Sequence, residues 1–374
     1  MHVPPRLNRR HGRWLSALAA AALLAYLCFW PVPVQPVAWR APEDLGHWGP
    51  HASNQALAGL RHLDLGGERG PEHVAFGPDG RLYVAVAGGK VLRMAADGSG
   101  REVFADTGGR VLGFDFDAAG QLIAADAYRG LLSIPPDGRA VVLADAFAGE
   151  PIRFADAVVV ADDGRIYFSD ASTRFAPADW GGAFEASVLD LLEQSATGRV
   201  FEYDPSSRAL RVVAQGLSFA NGVALASDQR ALLVVETGQY RVWRIDREAR
   251  ALDVREASPQ AFALFDNLPG YPDNLMRGLD GRIWLGFTKP RSGLVDAMAP
   301  YPFLRRITLR LPRFLWPVPP AYGHVMAFNE EGHVVADLQD PGGAYPETTA
   351  VTETRERLYI QSLHAGTLGW LPND

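Results

Sequence analysis

The sequence predicts an all-β fold, a six-bladed β-propeller of four-stranded blades closed by an N-terminal strand, with one transmembrane helix ahead of it. Three observations predict this: a hairpin turn between short apolar strands that recurs six times, a 40 to 50 residue period at the clearest copies, and one uncharged run near the start. The 374 residues, 48% hydrophobic and 21% charged, are globular in composition. The single cysteine, Cys28, excludes a disulfide framework and a cysteine-based zinc site. Net charge is −7; the first 40 residues hold five of the 36 basic groups and no acid, so 31 basic face 43 acidic groups beyond them. A body that acidic argues against a nucleic-acid partner, because phosphate attraction needs a basic face.

At the N-terminus, Arg9, Arg10 and Arg13 precede an uncharged run from Trp14 to Trp30, which closes at Pro31-Val-Pro33. Seventeen residues of helix span roughly 26 Å, the short end of a membrane crossing. The division expected is a cytoplasmic basic stub (1–13), a transmembrane signal anchor (14–30), a Pro-rich spacer (31–54) and the propeller (55–374). A basic flank that stays cytoplasmic makes this a single-pass membrane protein with its propeller exported, periplasmic or extracytoplasmic. A cleaved signal peptide competes, since Ala17-Leu18-Ala19 resembles a cleavage site; it lies inside the apolar run, which favours the uncleaved anchor.

The repeats begin at Val74-Ala-Phe-Gly-Pro-Asp79-Gly80-Arg-Leu-Tyr-Val-Ala-Val86. Equivalent turns stand at Ala119-Gly120, Asp163-Gly164, Asp228-Gln229, Asp280-Gly281 and Arg355-Glu356, and further hairpin turns at Asp97-Gly98, Asp137-Gly138, Asp204-Pro205 and Glu331-Gly332. That gives about four strands per unit. The last unit offers three strands before the chain ends, so Leu60–Leu65 is expected to supply the fourth and close the ring. Intervals of 65, 52 and 75 residues leave room for insertions, two of which are residues 173–197 and 290–320. The second, Tyr301 to Trp316, is apolar and basic without an acid. It suits an amphipathic helix that covers a pocket mouth or touches lipid headgroups, or a plain surface helix packed on the blades.

Counting eight residues back from each turn glycine position lands on Glu72, Leu112, Asp156, Asn221, Asp273 and Thr348. These positions open the innermost strand of each blade, so equal register means equal height around one axis. Four oxygen-bearing side chains then converge despite chain separations of 84, 65 and 52 residues. Carboxylates and an amide suit a hard cation, calcium or another divalent ion. Asn274, beside Asp273, is a possible further ligand. Taken singly, each residue also suits an ordinary turn; shared register favours a site. Loops after the second strands should rim it, which makes Asp126, Tyr128, Asp170, Ser172, Glu236 and His364 substrate-pocket candidates. No nucleophile elbow, phosphate loop or His-Glu-x-x-His run is present.

Gly70-Pro-Glu72-His, Tyr167-Phe-Ser-Asp170, Gly198-Arg-Val-Phe-Glu-Tyr-Asp-Pro205, Phe219-Ala-Asn221-Gly-Val and Leu268-Pro-Gly-Tyr-Pro-Asp273-Asn274 resemble the strictosidine synthase-like family, which includes the adipocyte plasma membrane-associated proteins. The resemblance covers roughly residues 55 to 371. That family is similar to senescence marker protein 30, gluconolactonase and paraoxonase, six-bladed propellers in which a central calcium serves ester, lactone or phosphotriester hydrolysis. The resemblance implies metal ligands at Glu72, Asn221 and Asp273, with Asp156 where the group's pattern has a second Asn. Two departures stand out. The paraoxonase pocket His is replaced by Leu112-Gly113, and the last-blade Glu of true strictosidine synthase has no clear counterpart in Glu347-Thr348-Thr349. The function expected is a membrane-anchored, calcium-dependent hydrolase of small ester or lactone substrates, of lactonase or arylesterase type, with Asp273 as catalytic proton acceptor. A condensing enzyme joining amine and aldehyde, and a non-catalytic propeller binding a ligand or protein, are the alternatives.

Overall fold

The computed structural model describes residues 9–373; the first eight residues of the expected basic stub lie outside it. Blade 1 comprises His73–Phe76, Leu82–Ala85, Lys90–Met94 and Glu102–Asp106. Blade 2 comprises Val111–Phe116, Leu122–Asp126, Gly130–Ile134 and Val141–Ala144. Blade 3 is Ala155–Val160, Ile166–Asp170, Gly198–Asp204 and Ala209–Leu217, extended by a short parallel strand, Leu252–Asp253. Blade 4 is Ala220–Leu225, Ala231–Glu236, Arg241–Asp246 and Ala261–Phe265; blade 5 is Gly270–Arg277, Ile283–Pro290, Gly323–Phe328 and Val334–Asp340. Thr348–Glu353, Arg357–Ser362 and Thr367–Pro372 form blade 6, and Arg61–Asp64 pairs antiparallel with Thr367–Pro372 as its fourth strand. The two ends of the propeller thus share one sheet, as the strand count required.

First strands of successive blades touch in turn, and the sixth meets the first, so the ring closes about a central channel. Every interface between adjacent blades has its own apolar cluster. Val84 and Tyr359 meet between blades 1 and 6, Val91 and Phe114 between 1 and 2, and Leu131 and Phe168 between 2 and 3. Val213 and Leu232 meet between blades 3 and 4, Val235 and Leu285 between 4 and 5, and Trp284 and Val351 between 5 and 6. Both faces of each sheet are therefore buried, which explains near-continuous apolar runs such as Leu232–Val235.

The two insertions form a cap over one mouth of the channel. After an N-terminal helix, Arg9–Phe29 (α1), residues Pro177–Trp180 (α2) and Ala183–Glu193 (α3) come from blade 3, and Gly293–Met298 (α4) and Pro302–Arg310 (α5) from blade 5. Arg305, 1% exposed, fastens the cap by donating to the carbonyls of Leu192 and Ala299, each at 3.0 Å, and to that of Val37. The Pro-rich segment lies extended on this cap: Val34 is buried in it, and the Val37 N–H donates to Glu193 O at 2.8 Å.

The expected membrane anchor is corrected by the structure. A helix does occupy that position, but no helix among the described residues is long and apolar enough to cross a membrane. The uncharged run has 17 residues, at the lower limit of the roughly 20 that a hydrocarbon core needs, and Arg13 and Pro31 bound it. Its C-terminal end docks on the cap instead, where Arg310 caps the Trp30 and Leu27 carbonyls at 2.7 Å each. The single-pass, exported topology rested on that span and loses its support with it.

Candidate functional site

Each register position opens an innermost strand, and irregular backbone aims it. In blades 2 to 6 the pairing of first and second strands shifts near its start: at Val111/Gly113, Ala155/Val158, Ala220/Val223, Pro272/Leu275 and Thr348/Val351. Leu112, Asp156, Asn221 and the pair Asp273-Asn274 fall inside four of these bulges. A bulge breaks strict alternation and re-aims its side chain, which lets both Asp273 and Asn274 engage channel groups. Gly222 sets the spacing. A Cβ there would lie 2.6 Å from Asp273 O and Leu275 N, so only glycine lets the inner strands of blades 4 and 5 come this close.

The result is a buried polar ring. Asn221 Nδ2 donates to Asp273 Oδ1 at 2.6 Å, and Asn274 Nδ2 lies 3.5 Å from Glu72 Oε1. Asp156 completes the acidic set; Glu72, Asp156, Asn221, Asp273 and Asn274 are all buried. Arg110 joins them, donating from Nη2 to Glu72 Oε2 at 2.9 Å. Sequence reasoning missed it, although it stands two residues before Leu112, in the blade that offers no oxygen donor at the shared register.

Burial dominates the electrostatics. It pushes Glu72 up to about 7, while the Arg110 guanidinium draws it back down. Burial, then the charge of Glu72, pushes Asp156 well above the usual carboxylate range. Asp273 rises for the same reasons, with Asp156 adding to the repulsion and the Asn221 hydrogen bond opposing it. Three carboxyls thus share one guanidinium. Meanwhile Asn221 Oδ1 and Asn274 Oδ1 are buried with no hydrogen-bond partner, as is Arg110 Nη1. Unpaired buried acceptors beside clustered carboxylates are the donor chemistry of a hard cation, so these residues fit one. Glu72, Asp156 and Asp273 stand wider apart than the trio His51, His324 and Asp337, whose ligand atoms lie within 4.8 Å of one another, so an ion in the channel would be shared with the amide oxygens of Asn221 and Asn274.

Above the ring is a cavity of about 450 Å³. Glu72, Arg110, Leu112, Asp156, Asn221 and Asp273 line it from the channel; Phe184, Val188 and Leu191 of α3 and Trp316 to Pro319 line it from the cap. A few polar groups under an apolar roof is how small-molecule sites are commonly built. Tyr128 and His364 also face this cavity. His364 Nδ1 is hydrogen-bonded to Glu347 Oε2 at 2.5 Å, and Lys289 Nζ pairs with Glu347 Oε1 at 3.0 Å.

Asp126, Asp170, Ser172 and Glu236 are not part of the cavity wall. Their side chains staple loops. Asp126 accepts from Thr107 Oγ1 at 2.7 Å and from the Arg110 N–H at 3.1 Å. Asp170 accepts from the Phe154 N–H at 2.9 Å, and Glu236 from the Ser218 N–H at 2.9 Å and Trp243 Nε1 at 2.8 Å. Ser172 Oγ accepts from the N–H groups of Arg174 and Phe175 at 3.2 and 3.1 Å. Each carboxylate closes the loop that leads into its own blade's inner strand, so these groups hold the ring residues at height.

The family model described as strictosidine synthase-like, N-terminal, matches residues 49–94, and the strictosidine synthase model matches residues 156–247. Protein strictosidine synthase-like 10 of Arabidopsis thaliana is 32% identical over 85% of this chain and 89% of its own length. The adipocyte plasma membrane-associated protein of Salmo salar is 30% identical over 64% of this chain and 57% of its own. Among solved structures, a gluconolactonase from Xanthomonas campestris superposes with a TM-score of 0.60 at 21% identity, covering 91% of this chain and 98% of that one. Regucalcin of Agrobacterium tumefaciens, a calcium-binding protein, gives 0.56 at 14%, covering 83% and 93%. At such identities these structures speak for the fold alone.

Proposed function

The chain belongs to the strictosidine synthase-like family, and from that premise we propose that it is a divalent-cation-dependent hydrolase of esters or lactones, with calcium as the ion. The observation that carries this reading is the imbalance in the channel: three buried carboxyls and two unpaired amide oxygens against a single guanidinium, beneath an apolar cavity. Glu72, Asp156, Asn221 and Asp273 would hold the ion, with the Asn274 amide oxygen beside them. When bound, a divalent cation supplies Lewis acidity, polarising an ester carbonyl and lowering the pKa of water. The residues do the rest. Asp273, a buried carboxylate that lines the cavity, would accept the proton of an attacking water. Asn221 orients Asp273 through its 2.6 Å hydrogen bond. Phe184, Val188, Leu191 and Trp316 seat the apolar part of the substrate and exclude bulk water. The shared fold of the gluconolactonase and of regucalcin supports the reading.

The test uses Asn221→Ala and Asp273→Asn. Both should abolish calcium-dependent turnover across a panel of lactones and aryl esters while melting remains cooperative; full activity in both refutes the mechanism. A protein that binds calcium yet turns over nothing in the panel is the ligand-binding alternative. One further reading has its own observation. True strictosidine synthase uses a Glu in its last blade, and here Glu347, just ahead of blade 6, faces the cavity with His364 and Lys289. That reading requires an amine and aldehyde to condense in the presence of chelator, detected by mass spectrometry, and the product to vanish in Glu347→Gln.

A further inference from the structure

Outside the cavity lining, His51, His324 and Asp337 bring their ligand atoms within 4.8 Å of one another. His51 belongs to a short 3₁₀ turn, Gly49–His51, ahead of the propeller; His324 and Asp337 lie on the third and fourth strands of blade 5. Both imidazoles address the same oxygen: His51 Nδ1 is 2.7 Å and His324 Nε2 2.9 Å from Asp337 Oδ2. His47 stands beside them, its ring centroid 5.6 Å from that of His324, stacked on Tyr322 at 4.9 Å. Its Nε2 is buried with no hydrogen-bond partner.

We infer that His51, His324 and Asp337 form a zinc-type site that fastens the segment before the propeller to blade 5. Two imidazole nitrogens and one carboxylate oxygen are a donor set for zinc rather than for calcium or magnesium. Tetrahedral zinc, bonded at about 2.0–2.1 Å, sets its ligand atoms roughly 3.3 Å apart. The observed 2.7 and 2.9 Å contacts therefore need to open by only about half an ångström. The ring is also braced. The His324 N–H donates to Thr348 Oγ1 at 3.0 Å, and Gln339 Nε2 donates to the His51 carbonyl at 3.0 Å, so two of the donors are already placed by the backbone around them.

The experiment uses the full chain, stripped with chelator and equilibrated with zinc chloride. Bound zinc is measured by elemental analysis and by competition with a chromophoric chelator, for wild type, His51→Ala, His51→Gln and Asp273→Asn. The site requires about one equivalent of tightly bound zinc in wild type and in Asp273→Asn, a rise of several degrees in melting temperature on adding zinc, and loss of both effects in His51→Ala and His51→Gln. Gln keeps a side-chain donor for Asp337 but is a poor zinc ligand, so it separates a metal clamp from a hydrogen-bonded one. Far-UV circular dichroism confirms that the variants fold. Cobalt(II) should give the visible bands of a tetrahedral nitrogen and oxygen site in wild type and Asp273→Asn, and in neither His51 variant. Less than a fifth of an equivalent of zinc in wild type, or zinc retained by His51→Gln, overturns the inference. Either outcome leaves the calcium reading of the channel untouched.

Discussion

Asp190 offers a quantitative test of how the cap responds to pH. It lies on α3, the helix whose Val188 and Leu191 line the cavity, and it is fully buried with neither carboxyl oxygen hydrogen-bonded. Burial pushes its carboxyl up to about 7, eased by the neighbouring Ser172 hydroxyl and reinforced by the charge of Glu193. An acid whose folded pKa exceeds its unfolded value stabilises the fold fully only below the unfolded pKa, here 3.8, and that contribution is lost as pH climbs through about 7. At roughly 1.4 kcal/mol per tenfold change, the full penalty approaches about 4 kcal/mol, of which about 2–3 kcal/mol develops between pH 5 and pH 8. Asp190→Asn removes the titration while keeping the shape. Its unpaired amide has a fixed cost that cancels when two pH values are compared. Stability of Asp190→Asn relative to wild type should therefore rise by about 2–3 kcal/mol from pH 5 to pH 8. That is roughly 4–6 °C in melting temperature for a domain of this size, read by circular dichroism melts at both pH values. Hydrogen exchange in α3 should slow in the variant at pH 8 by a comparable free energy. A difference that stays constant with pH, or reverses sign, would falsify the assignment of a buried, unpaired carboxyl at this position.

Three further outcomes follow from the same geometry. Gly222→Ala places a Cβ against the backbone of Asp273 and Leu275, which cannot yield, so it should destabilise by about 1–3 kcal/mol and weaken calcium binding by separating Asn221 from Asp273; unchanged melting and affinity would contradict the close approach. Arg110→Gln leaves the buried Glu72 without its ion pair. The chelated protein should melt several degrees lower and the calcium-induced rise should grow, whereas an unchanged calcium response would show that Arg110 and the ion do not compete for Glu72. Arg305→Met strands the carbonyls of Leu192, Val37 and Ala299, so limited proteolysis should cut within residues 290–320 faster while the blades stay protected; equal cleavage rates would mean that the cap is held by other contacts.

The repeats were legible because a propeller writes its period into turn chemistry. Gly80, Gly120, Gly164 and Gly281 all adopt positive φ, and counting back from those turns reached the start of each inner strand. What sequence could not carry was direction. Asp126, Asp170 and Glu236 sit where rim residues belong, yet whether such a carboxylate faces the cavity or closes its own loop depends on which N–H groups the loop leaves unsatisfied. The bulges that bring Asn274 in beside Asp273 leave no mark in an apolar pattern. Arg110 meets Glu72 across 38 residues, a pairing fixed by the packing of blade 2 against blade 1 rather than by any local pattern. The N-terminal run was read as a membrane span from hydropathy alone. Its length stood at the lower limit for a crossing, and the docking of its C-terminal carbonyls on Arg310 could not be seen from sequence.

Charge arithmetic connects the ring to the proposed ion. Three carboxylates against one guanidinium leave two formal negative charges in a closed space, and burial alone cannot tolerate them: either protons or a dication must neutralise the set. Protons suffice in acid, but near neutrality Glu72 reaches its midpoint at about 7, so the requirement for a cation strengthens there. The two register positions without donors then take on meaning. Leu112 faces the cavity, and the Thr348 hydroxyl donates to the His324 carbonyl at 2.7 Å. Neither would compete for the proposed ion, which would leave the Leu112 side of the ring, where the cavity lies, without a donor. Placing an oxygen donor at the first of them, Leu112→Asp, should raise calcium affinity at least tenfold and lower turnover, because the added ligand occupies that open side. A variant that binds more calcium and turns over ester as fast as wild type would break the link between the open position and catalysis.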